Sequence, residues 1–504
     1  MGLEQFMRMA AKKHPDKTAV VFKGKRTSYR CLEEKTASCA GFITKTTKPG
    51  DTVLILARNC TEQIELILAC FESGRIACPV NWRMSPAELA SVIAETNAAL
   101  CVYDQPCMSL YCDAAKLSHA KLLSADIEAL PWDGTPDNRW EVMPEETYAI
   151  RYYTSGSTGT PKSVLHTHGS MMRYFQTYSQ VSEWGEDTIY ETQSNLFHLS
   201  GFSCLISVFV GGTLVLMDKY REEEFFRTME QERCTRISLV PTLIARCLTD
   251  GVFEKYDFTS VDKIVYGGSP LPMSQVRKTI EKCHCKLEQA YGTTETCNIS
   301  VLGPEDHQKA ALGLVDGHIL ESAGRPIPGV QVKIINEDGS DAGEGEGEVV
   351  VKSPFLLSNV AGNVPHRFTE DGFYCTGDIG KIEKNYIYLI DRKNDMIVSG
   401  GENIYPREVE NCIAHMVDDV SMVAVVGGPD PIWGEEVVAF VVRYPDSHIT
   451  EDDVIEYCRQ HIAGYKKPKR VIFLDKLPLN ANGKTCRRIL KDRLVEESKG
   501  NNGN

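Results

Sequence analysis

Apolar residues in the first part of this chain fall into short buried runs that alternate with stretches of helical periodicity. Thr52–Leu56 predicts a buried strand, and the apolar residues of 64–71 recur at helical spacing until Gly74 ends the helix. Residues 85–88 form a capping box with proline at the first helical position, and a strand over Leu100–Tyr103 follows that helix. Such alternation predicts a doubly wound parallel sheet.

The pattern repeats further along and then changes character. A second doubly wound unit is predicted by three apolar runs, Leu205–Val210, Thr213–Met217 and Ile237–Val240, which we interpret as strands. Short alternating strands then predict a small β-barrel-like lobe, at Val330–Ile335, Gly347–Val351 and Tyr386–Ile390. The acidic run 341–346 is typical of a solvated hairpin turn.

The last hundred residues have the pattern of a separate small α+β domain. Pro406 begins a helix with an apolar face, strands follow at Met422–Val426 and Val437–Val442, and Thr450 caps a second helix before the strand Val471–Leu474. We therefore expect a large α/β N-terminal domain over residues 1–391, a hinge at 392–394 and a small, mobile C-terminal domain over 395–504.

Composition and charge narrow the class of protein. The 504 residues carry a net charge of −14, which argues against a general nucleic-acid binder or a binder of anionic membranes. The apolar run Cys204–Leu216 is short and contains two glycines, so we expect no membrane span. The N-terminus lacks the pattern of a signal peptide, and the 18 cysteines are interpreted as reduced thiols. These features predict a cytoplasmic protein.

A loop rich in hydroxyls and glycine, Thr154 to Lys162, is the first candidate for chemistry. Its backbone N–H groups, hydroxyls and single ammonium are the groups that polyphosphate oxygens require. A Walker A loop needs glycine directly before its lysine, and Pro161 occupies that position. The loop therefore predicts a polyphosphate site of another kind.

Three further segments offer complementary groups. Residues 291–295, Tyr-Gly-Thr-Thr-Glu, combine an aromatic face, a close-approach glycine, two hydroxyls and a carboxylate for a cation such as Mg²⁺. Asp378 ends a Thr-Gly-Asp segment, and a carboxylate can accept both hydroxyls of a ribose diol. Lys484 lies in an Asn/Gly-rich loop.

Together, and in this order over nearly the whole chain, these segments resemble the adenylate-forming superfamily. The nearest branch is that of the acyl- and aryl-CoA synthetases, close to the halobenzoate-CoA ligases. The resemblance implies that Lys484 is catalytic, that Lys162 neutralises pyrophosphate and that Glu295 holds Mg²⁺. It implies an ATP/AMP site formed by Thr154, Ser155, Gly156, Ser157, Thr158, Gly159, Lys162, Gly268, Ser269, Tyr291, Gly292, Thr293, Thr294, Asp378 and Arg392. Ser163 stands where the family more often has glycine.

The C-terminal segments carry the information on the acyl acceptor. The loop 399–406 resembles the one that lines the pantetheine tunnel of CoA ligases, and 465–470 is the densest basic cluster in this acidic chain. Since CoA carries three phosphates, such a cluster is a candidate nucleotide clamp. The resemblance implies CoA contacts from Gly400, Gly401, Trp433, Tyr465, Lys467 and Lys469, and a hinge at Asn394, where the family usually has Asp or Lys.

The candidate acyl pocket argues against an amino-acid substrate. His198 stands where amino-acid-activating relatives place an aspartate, and without it a buried α-ammonium would lack a partner. By resemblance, His198 lies between the acyl and phosphate sites and acts in catalysis. Substrate contacts are expected from Phe197, His198, Leu199, Gly267, Gly268, Ala290 and Asn298, with an aryl or short-to-medium acyl acid as the substrate.

The sequence leaves three functions open. The first is a ligase that joins a carboxylic acid to CoA at the expense of ATP. The second is an adenylating enzyme that loads the phosphopantetheine of a carrier protein, and the third is a nucleotide- and acyl-binding homologue without turnover. A homodimer is one possible assembly. We expect ATP, Mg²⁺, CoA and a small carboxylic acid as ligands.

Overall fold

A computed structural model gives the architecture. It describes residues 2–120, 122–134, 142–154, 162–268, 271–357, 359–361, 368–393, 395–417, 419–479 and 485–501. Among these residues, no helix combines the length and the apolar character needed to cross a membrane.

Helices and strands alternate over most of the chain. The helices are α1 Glu4–Lys13, α2 Tyr29–Thr46, α3 Thr61–Ser73, α4 Pro86–Thr96, α5 Met108–Ser118, α6 His168–Val181, α7 Leu199–Phe202, α8 Leu205–Phe209, α9 Glu222–Gln231, α10 Pro241–Thr249, α11 Val252–Lys255, α12 Met273–Cys283, α13 Pro304–Ala311, α14 Pro406–Ala414, α15 Glu451–His461 and α16 Arg487–Asn501. The strands are β1 Thr18–Phe22, β2 Lys25–Ser28, β3 Thr52–Leu56, β4 Ile76–Pro79, β5 Leu100–Tyr103, β6 Leu123–Asp126, β7 Tyr148–Thr154, β8 Lys162–Thr167, β9 Ile189–Thr192, β10 Thr213–Leu216, β11 Arg236–Ser238, β12 Lys263–Gly267, β13 Lys286–Thr293, β14 Cys297–Leu302, β15 Arg325–Pro326, β16 Gln331–Ile335, β17 Gly347–Lys352, β18 Asn359–Ala361, β19 Tyr374–Glu383, β20 Tyr386–Arg392, β21 Ile397–Ser399, β22 Glu402–Ile404, β23 Val420–Asp430, β24 Gly434–Arg443 and β25 Arg470–Phe473.

The strands of the described residues form four sheets. A seven-stranded sheet has the order β18-β8-β7-β4-β3-β5-β6, and a nine-stranded sheet has the order β15-β14-β13-β12-β11-β9-β10-β1-β2. Both have parallel centres and antiparallel strands at an edge. These are the two doubly wound units that the sequence predicts. The lobe is a four-stranded antiparallel sheet, β16-β17-β19-β20. The last sheet has five strands in the order β22-β21-β24-β23, with β25 paired to β24.

Local sequence signals account for many element boundaries. Ser85 and Glu88 form both bonds of the predicted capping box at the start of α4. Thr450 and Asp453 do the same at the start of α15, and Gly74 ends α3 with a φ of 67°. These bonds satisfy N–H groups that have no partner within the helix.

One predicted strand is wrong: the run Leu205–Val210 contains helix α8 instead. All five residues of α8 are buried, and a short, wholly apolar run is compatible with a buried helix as well as with a buried strand. The hydroxyl of Tyr29 lies 2.8 Å from the carbonyl oxygen of Val208, in α8, and 2.7 Å from that of Gly212, just after the helix, and its single proton is shared between them.

An aromatic cluster in the main core surrounds the end of helix α7. Phe202, at the end of α7, packs against Phe71, Tyr152 and Phe175 with ring centroids 5.3–6.0 Å apart. Because α7 begins directly after His198, this packing fixes the backbone that carries the histidine.

Candidate active site

Predicted site residues gather at the carboxyl edge of the nine-stranded sheet. His198 follows β9, Gly268 follows β12, and Thr294 and Glu295 follow β13. These strands run parallel, so the segments after them meet at one edge. Ligands of doubly wound sheets bind in the crevice outside this edge.

A buried carboxylate, Asp378, lies between a phenol and a guanidinium. The Tyr291 hydroxyl donates to Oδ2 of Asp378 at 2.7 Å, and Nε of Arg392 forms an ion pair with Oδ1 at 2.8 Å. Asp378 and Arg392 are cross-strand partners on β19 and β20, so the sheet register sets their distance. Each carboxylate oxygen keeps a second lone pair, and the pair of oxygens can therefore still accept a diol.

Burial and the charge of Asp378 together set the protonation of Tyr291 and Arg392. The Asp378 carboxylate raises the pKa of Arg392, and the nearby Asp395 and Glu295 act in the same direction. Burial, followed by the charge of Asp378, raises the pKa of Tyr291. At neutral pH the guanidinium is therefore charged and the phenol keeps the proton that it donates.

The turn from Gly292 to Glu295 requires its glycine. A Cβ atom on Gly292 would lie 1.9 Å from the carbonyl oxygen of Cys297 on the neighbouring strand β14. Beyond it, the N–H of Leu357 donates to the Glu295 carbonyl oxygen at 2.8 Å. The half-buried side chains of Thr293 and Thr294 lie on the same turn.

His166 supports this turn and was not predicted from the sequence. Burial lowers the pKa of His166 to about 4, so the ring is neutral, and its Nε2 lies 2.8 Å from the Thr294 carbonyl oxygen. A carbonyl only accepts, so Nε2 carries the proton. The one available signal was a histidine among apolar residues of β8, which is equally typical of a core position.

The donor set fits Mg²⁺ with a single protein carboxylate. Among the described residues, no three His, Cys, Asp or Glu side chains are grouped as a metal site. Glu295 remains the carboxylate that the sequence predicts for this ion. Mg²⁺ is commonly held by one or two carboxylates together with substrate phosphates and water. Its chemistry would be the neutralisation of phosphate charge.

The predicted acyl-pocket residues lie on neighbouring strands of the same edge. Gly267 pairs with Ala290, and a Cβ atom on Gly267 would lie 2.4 Å from the Ala290 carbonyl oxygen. Asn298 on β14 pairs with Gly292 on β13, so the predicted pocket residues occupy three neighbouring strands. Gly268, with a φ of 82°, turns the chain after β12.

His198 lies after β9 at the same edge, and its ring packs against Phe197 with centroids 4.3 Å apart. Phe197 and Leu199 are themselves buried. The half-buried His198 is therefore held between two core residues, at the start of α7.

A second group of predicted residues lies together on the C-terminal sheet. Lys469 Nζ lies 4.8 Å from the centroid of the Trp433 ring, and the Gly400 N–H donates to the Trp433 carbonyl oxygen at 2.8 Å. A Cβ atom on Gly400 would lie 2.5 Å from Cε3 of that ring. Trp433 and Tyr465 are each half exposed, so aromatic faces remain open to a ligand.

The basic cluster 465–470 divides into two kinds of side chain. Lys466 forms an ion pair with Glu408 at 2.7 Å, and Arg470 pairs with Glu436 at 3.4 Å. Lys467 has no ion pair to another described residue, and Lys469 approaches Asp430 only at 4.0 Å. The two lysines predicted to contact CoA are therefore those less engaged within the protein.

Charged residues hold the chain on both sides of position 394. Asp395 pairs with Arg487 at 3.3 Å, and Arg487 also binds both oxygens of Glu410 at 2.8 Å. On the other side, the N–H of Arg407 donates to Oδ2 of Asp391 at 2.8 Å. These pairings carry no local sequence signal, because the partners are separated by up to 92 positions along the chain.

The other predicted residues lie at the ends of the described ranges or outside them. Thr154 and Lys162 pair across the ends of β7 and β8. The remaining ones lie outside the described residues: Ser155, Gly156, Ser157, Thr158, Gly159, Ser269, Asn394 and Lys484.

Comparison with known proteins identifies the family. The AMP-binding enzyme profile matches residues 7–360, and that of the AMP-binding enzyme C-terminal domain matches residues 408–484. The chain is 32% identical to a 2-succinylbenzoate–CoA ligase of Bacillus licheniformis over 97% of its length and 100% of the relative's. It is 29% identical to a fatty acid–[acyl-carrier-protein] ligase of Streptomyces coeruleorubidus, over 97% and 95%.

A solved structure agrees with this comparison. The o-succinylbenzoate CoA synthetase of Bacillus subtilis, in complex with its acyl-adenylate intermediate, superimposes with a TM-score of 0.82 at 28% identity, covering 97% of this chain and 98% of the other. The chain therefore belongs to the AMP-binding enzyme family, in the acid–CoA ligase branch of the adenylate-forming enzymes, whose members are AMP-forming acid–thiol ligases.

Proposed function

We propose that this protein is an ATP-dependent carboxylic acid–CoA ligase that works in two steps. In the first, a substrate carboxylate attacks the α-phosphorus of ATP, and acyl-AMP forms as pyrophosphate leaves. In the second, the CoA thiol attacks the acyl carbon, and a thioester forms as AMP leaves. The observation that carries the proposal is the buried Asp378 carboxylate, fixed by Tyr291 and Arg392 beside the Gly292–Glu295 turn.

The first step needs charge stabilisation more than covalent help from the protein. We assign the ribose hydroxyls to Asp378 and the α-phosphate to Thr294, with Glu295 holding Mg²⁺. The Lys484 ammonium would stabilise the negative charge that develops at the α-phosphate as the carboxylate attacks. Lys162 would neutralise the departing pyrophosphate.

The second step is supported by the C-terminal group. Lys469 beside the half-exposed Trp433 offers a cation and an aromatic face to the CoA nucleotide. Gly400 leaves its backbone bare where a side chain would collide with Trp433, and a thin pantetheine arm needs such close approach. We assign Tyr465 and Lys467 to the same nucleotide.

For the substrate, we propose an aryl or short-to-medium acyl acid without an α-amino group. His198 supplies no carboxylate for an ammonium, and an unpaired buried charge is costly. Gly267 and Ala290 present a row with little side-chain bulk, and this favours a flat or slender acyl group.

The carrier-protein function remains the second candidate, favoured by one relative that is named as an acyl-carrier-protein ligase. A tethered phosphopantetheine lacks the 3′-phosphate of free CoA. The less engaged Lys467 and Lys469 therefore favour CoA over a carrier. A homologue without turnover would not need lysines at both 162 and 484.

We further propose that residues 1–391 form the adenylation domain and 395–504 the C-terminal domain, with a hinge at 392–394. Asparagine tolerates unusual backbone angles, which suits a hinge at Asn394. A cytoplasmic location and a homodimer stay predictions.

Pyrophosphate release tests the proposed first step. The protein is mixed with MgATP and a panel of aryl and acyl acids, with amino acids as the matched comparison. We expect release with at least one acid that lacks an α-amino group. Release with amino acids alone would contradict the substrate class, and none with any acid would favour the homologue without turnover.

A further inference from the structure

The loop between β9 and α7, residues 193–198, carries His198 at its end. At its start, the N–H of Ser194 donates to Oγ1 of Thr192, the last residue of β9, at 3.1 Å. At its end, the N–H of His198 donates to the carbonyl oxygen of Asn195 at 3.0 Å. These bonds lie within the loop and its own strand, so they do not fix the loop against the rest of the fold.

Asn59 supplies a partner for this loop from the other large sheet. It follows β3, at the carboxyl edge of the seven-stranded sheet, and is 2% exposed. Its Nδ2 donates to the Ser194 carbonyl oxygen at 2.9 Å, and its Oδ1 accepts from the N–H of Leu196 at 3.0 Å. One amide therefore holds the backbone on both sides of Asn195, whose carbonyl oxygen accepts from His198.

The two bonds require a carboxamide side chain. A carbonyl oxygen only accepts and a backbone N–H only donates, so these two partners determine which end of the Asn59 amide faces each of them. An aspartate at this position would have no proton to donate at neutral pH. Leu196 is fully buried, and an unpaired N–H at such a place is costly, so Asn59 also satisfies a backbone group that water does not reach.

The turn that carries Asn59 is itself held in place. The backbone N–H and Nε of Arg58 both donate to Oδ2 of Asp104, at 3.2 and 3.1 Å. Asp104 follows β5, the parallel neighbour of β3, and its Oδ1 accepts from the N–H of Cys107 at 3.1 Å. The seven-stranded sheet therefore sets the position of Asn59, and the amide relates that position to the loop of the nine-stranded sheet.

We propose that Asn59 is a positioning residue for acyl-AMP formation, because its bonds to Ser194 and Leu196 fix the 193–198 loop and so place His198 at the carboxyl edge of the nine-stranded sheet. The proposal rests on the proposed function and on the expected place of His198 between the acyl and phosphate sites. A displacement of about 1 Å at a reacting centre can lower a rate about 100-fold, so the loss of this anchor should be measurable.

Acyl-AMP formation and AMP binding in the full-length protein test the role of Asn59. Asn59→Ala removes both bonds and should lower kcat for acyl-AMP formation about tenfold, while AMP affinity, assigned to the Asp378 group, should change less than about twofold. Asn336→Ala is the matched control and should change neither, because the Asn336 amide is exposed and donates to Ser340 in a hairpin turn. An unchanged kcat, or equal losses in kcat and in AMP affinity, would overturn the role of Asn59.

Asn59→Asp separates the loss of a bond from general damage to the fold, because it keeps the size of the side chain. The carboxylate still accepts from the N–H of Leu196, but it sets a second acceptor against the Ser194 carbonyl oxygen. We expect acyl-AMP formation to fall severalfold in Asn59→Asp and to stay unchanged in the control Asn336→Asp. A wild-type rate in Asn59→Asp would overturn the requirement for both bonds.

A double-mutant cycle tests whether Asn59 acts through His198. His198→Ala alone should lower the rate of acyl-AMP formation, and Asn59→Ala should cause little further loss in that background, because the ring that Asn59 places is already absent. Additive losses would overturn the link between the two residues. A wild-type protein that forms no acyl-AMP with any acid would refute the proposed function, whereas an active wild type with an unaffected Asn59→Ala variant would refute this inference alone.

Discussion

Replacement of Asp378 by asparagine tests the centre of the proposed nucleotide site. In the wild-type protein, Oδ1 forms an ion pair with Nε of Arg392 at 2.8 Å, and Oδ2 accepts a hydrogen bond from the Tyr291 hydroxyl at 2.7 Å. An asparagine side chain has one acceptor oxygen and one NH₂ group. In Asp378→Asn, one of the two donors therefore meets another donor, and the other meets an uncharged oxygen.

The size of the effect follows from these bonds. A hydrogen bond to a charged group contributes about 1.5–3 kcal/mol. One ribose hydroxyl would lose such a bond, so MgATP binding should weaken about 10- to 150-fold. AMP carries the same ribose, and its affinity should fall by the same factor.

Binding of both nucleotides is measured for Asp378→Asn and for Tyr291→Phe. The phenylalanine variant keeps an aromatic face and removes only the hydroxyl, so we expect a loss smaller than tenfold. If Asp378→Asn remains folded and binds MgATP like the wild type, the assignment of Asp378 to the ribose is wrong.

Three other changes have distinct expected results. Lys484→Ala should abolish acyl-AMP formation but spare thioester formation from supplied acyl-AMP; equal loss of both steps would refute its role. Lys469→Gln should raise the KM for CoA about tenfold through the lost cation, with unchanged acyl-AMP formation, and an unchanged KM would remove Lys469 from the CoA site. Burial raises the pKa of Glu72 to about 8, an effect that the Arg8 guanidinium only partly offsets. The folded chain therefore keeps a proton that the unfolded chain loses above about pH 4.5, and stability declines as the pH rises between these values. In thermal unfolding, the Tm of Glu72→Gln minus that of the wild type should therefore be larger at pH 8 than at pH 5.5. The control variant Glu344→Gln should show no such pH-dependent gain. An equal Tm difference for Glu72→Gln at both pH values would contradict the raised pKa.

Element types were predictable where the sequence carries a local signal. The capping boxes at Ser85 and Thr450 involve residues three positions apart, so their meaning does not depend on the rest of the fold. The run Leu205–Val210 carries no such signal, and its helix depends on burial and on the distant Tyr29. Periodicity alone cannot separate a short buried helix from a buried strand.

The same distinction holds for the candidate site. Tyr291 and Asp378 were proposed from motifs, since each lies in a short segment with its own chemical character. The contacts that hold them were not, because Tyr291 meets Asp378 across 87 positions and His166 meets Thr294 across 128. Such contacts depend on sheet order and helix docking, which a single sequence does not encode locally.

Thioester formation with free CoA, measured against formation with a phosphopantetheine-bearing carrier protein, tests the central claim most directly. The acid is the one selected from the panel, and both acceptors are supplied at equal concentration with MgATP. The proposed function predicts a much higher kcat/KM for CoA, reduced for that acceptor by Lys469→Gln. A kcat/KM for the carrier protein that greatly exceeds that for CoA would contradict it.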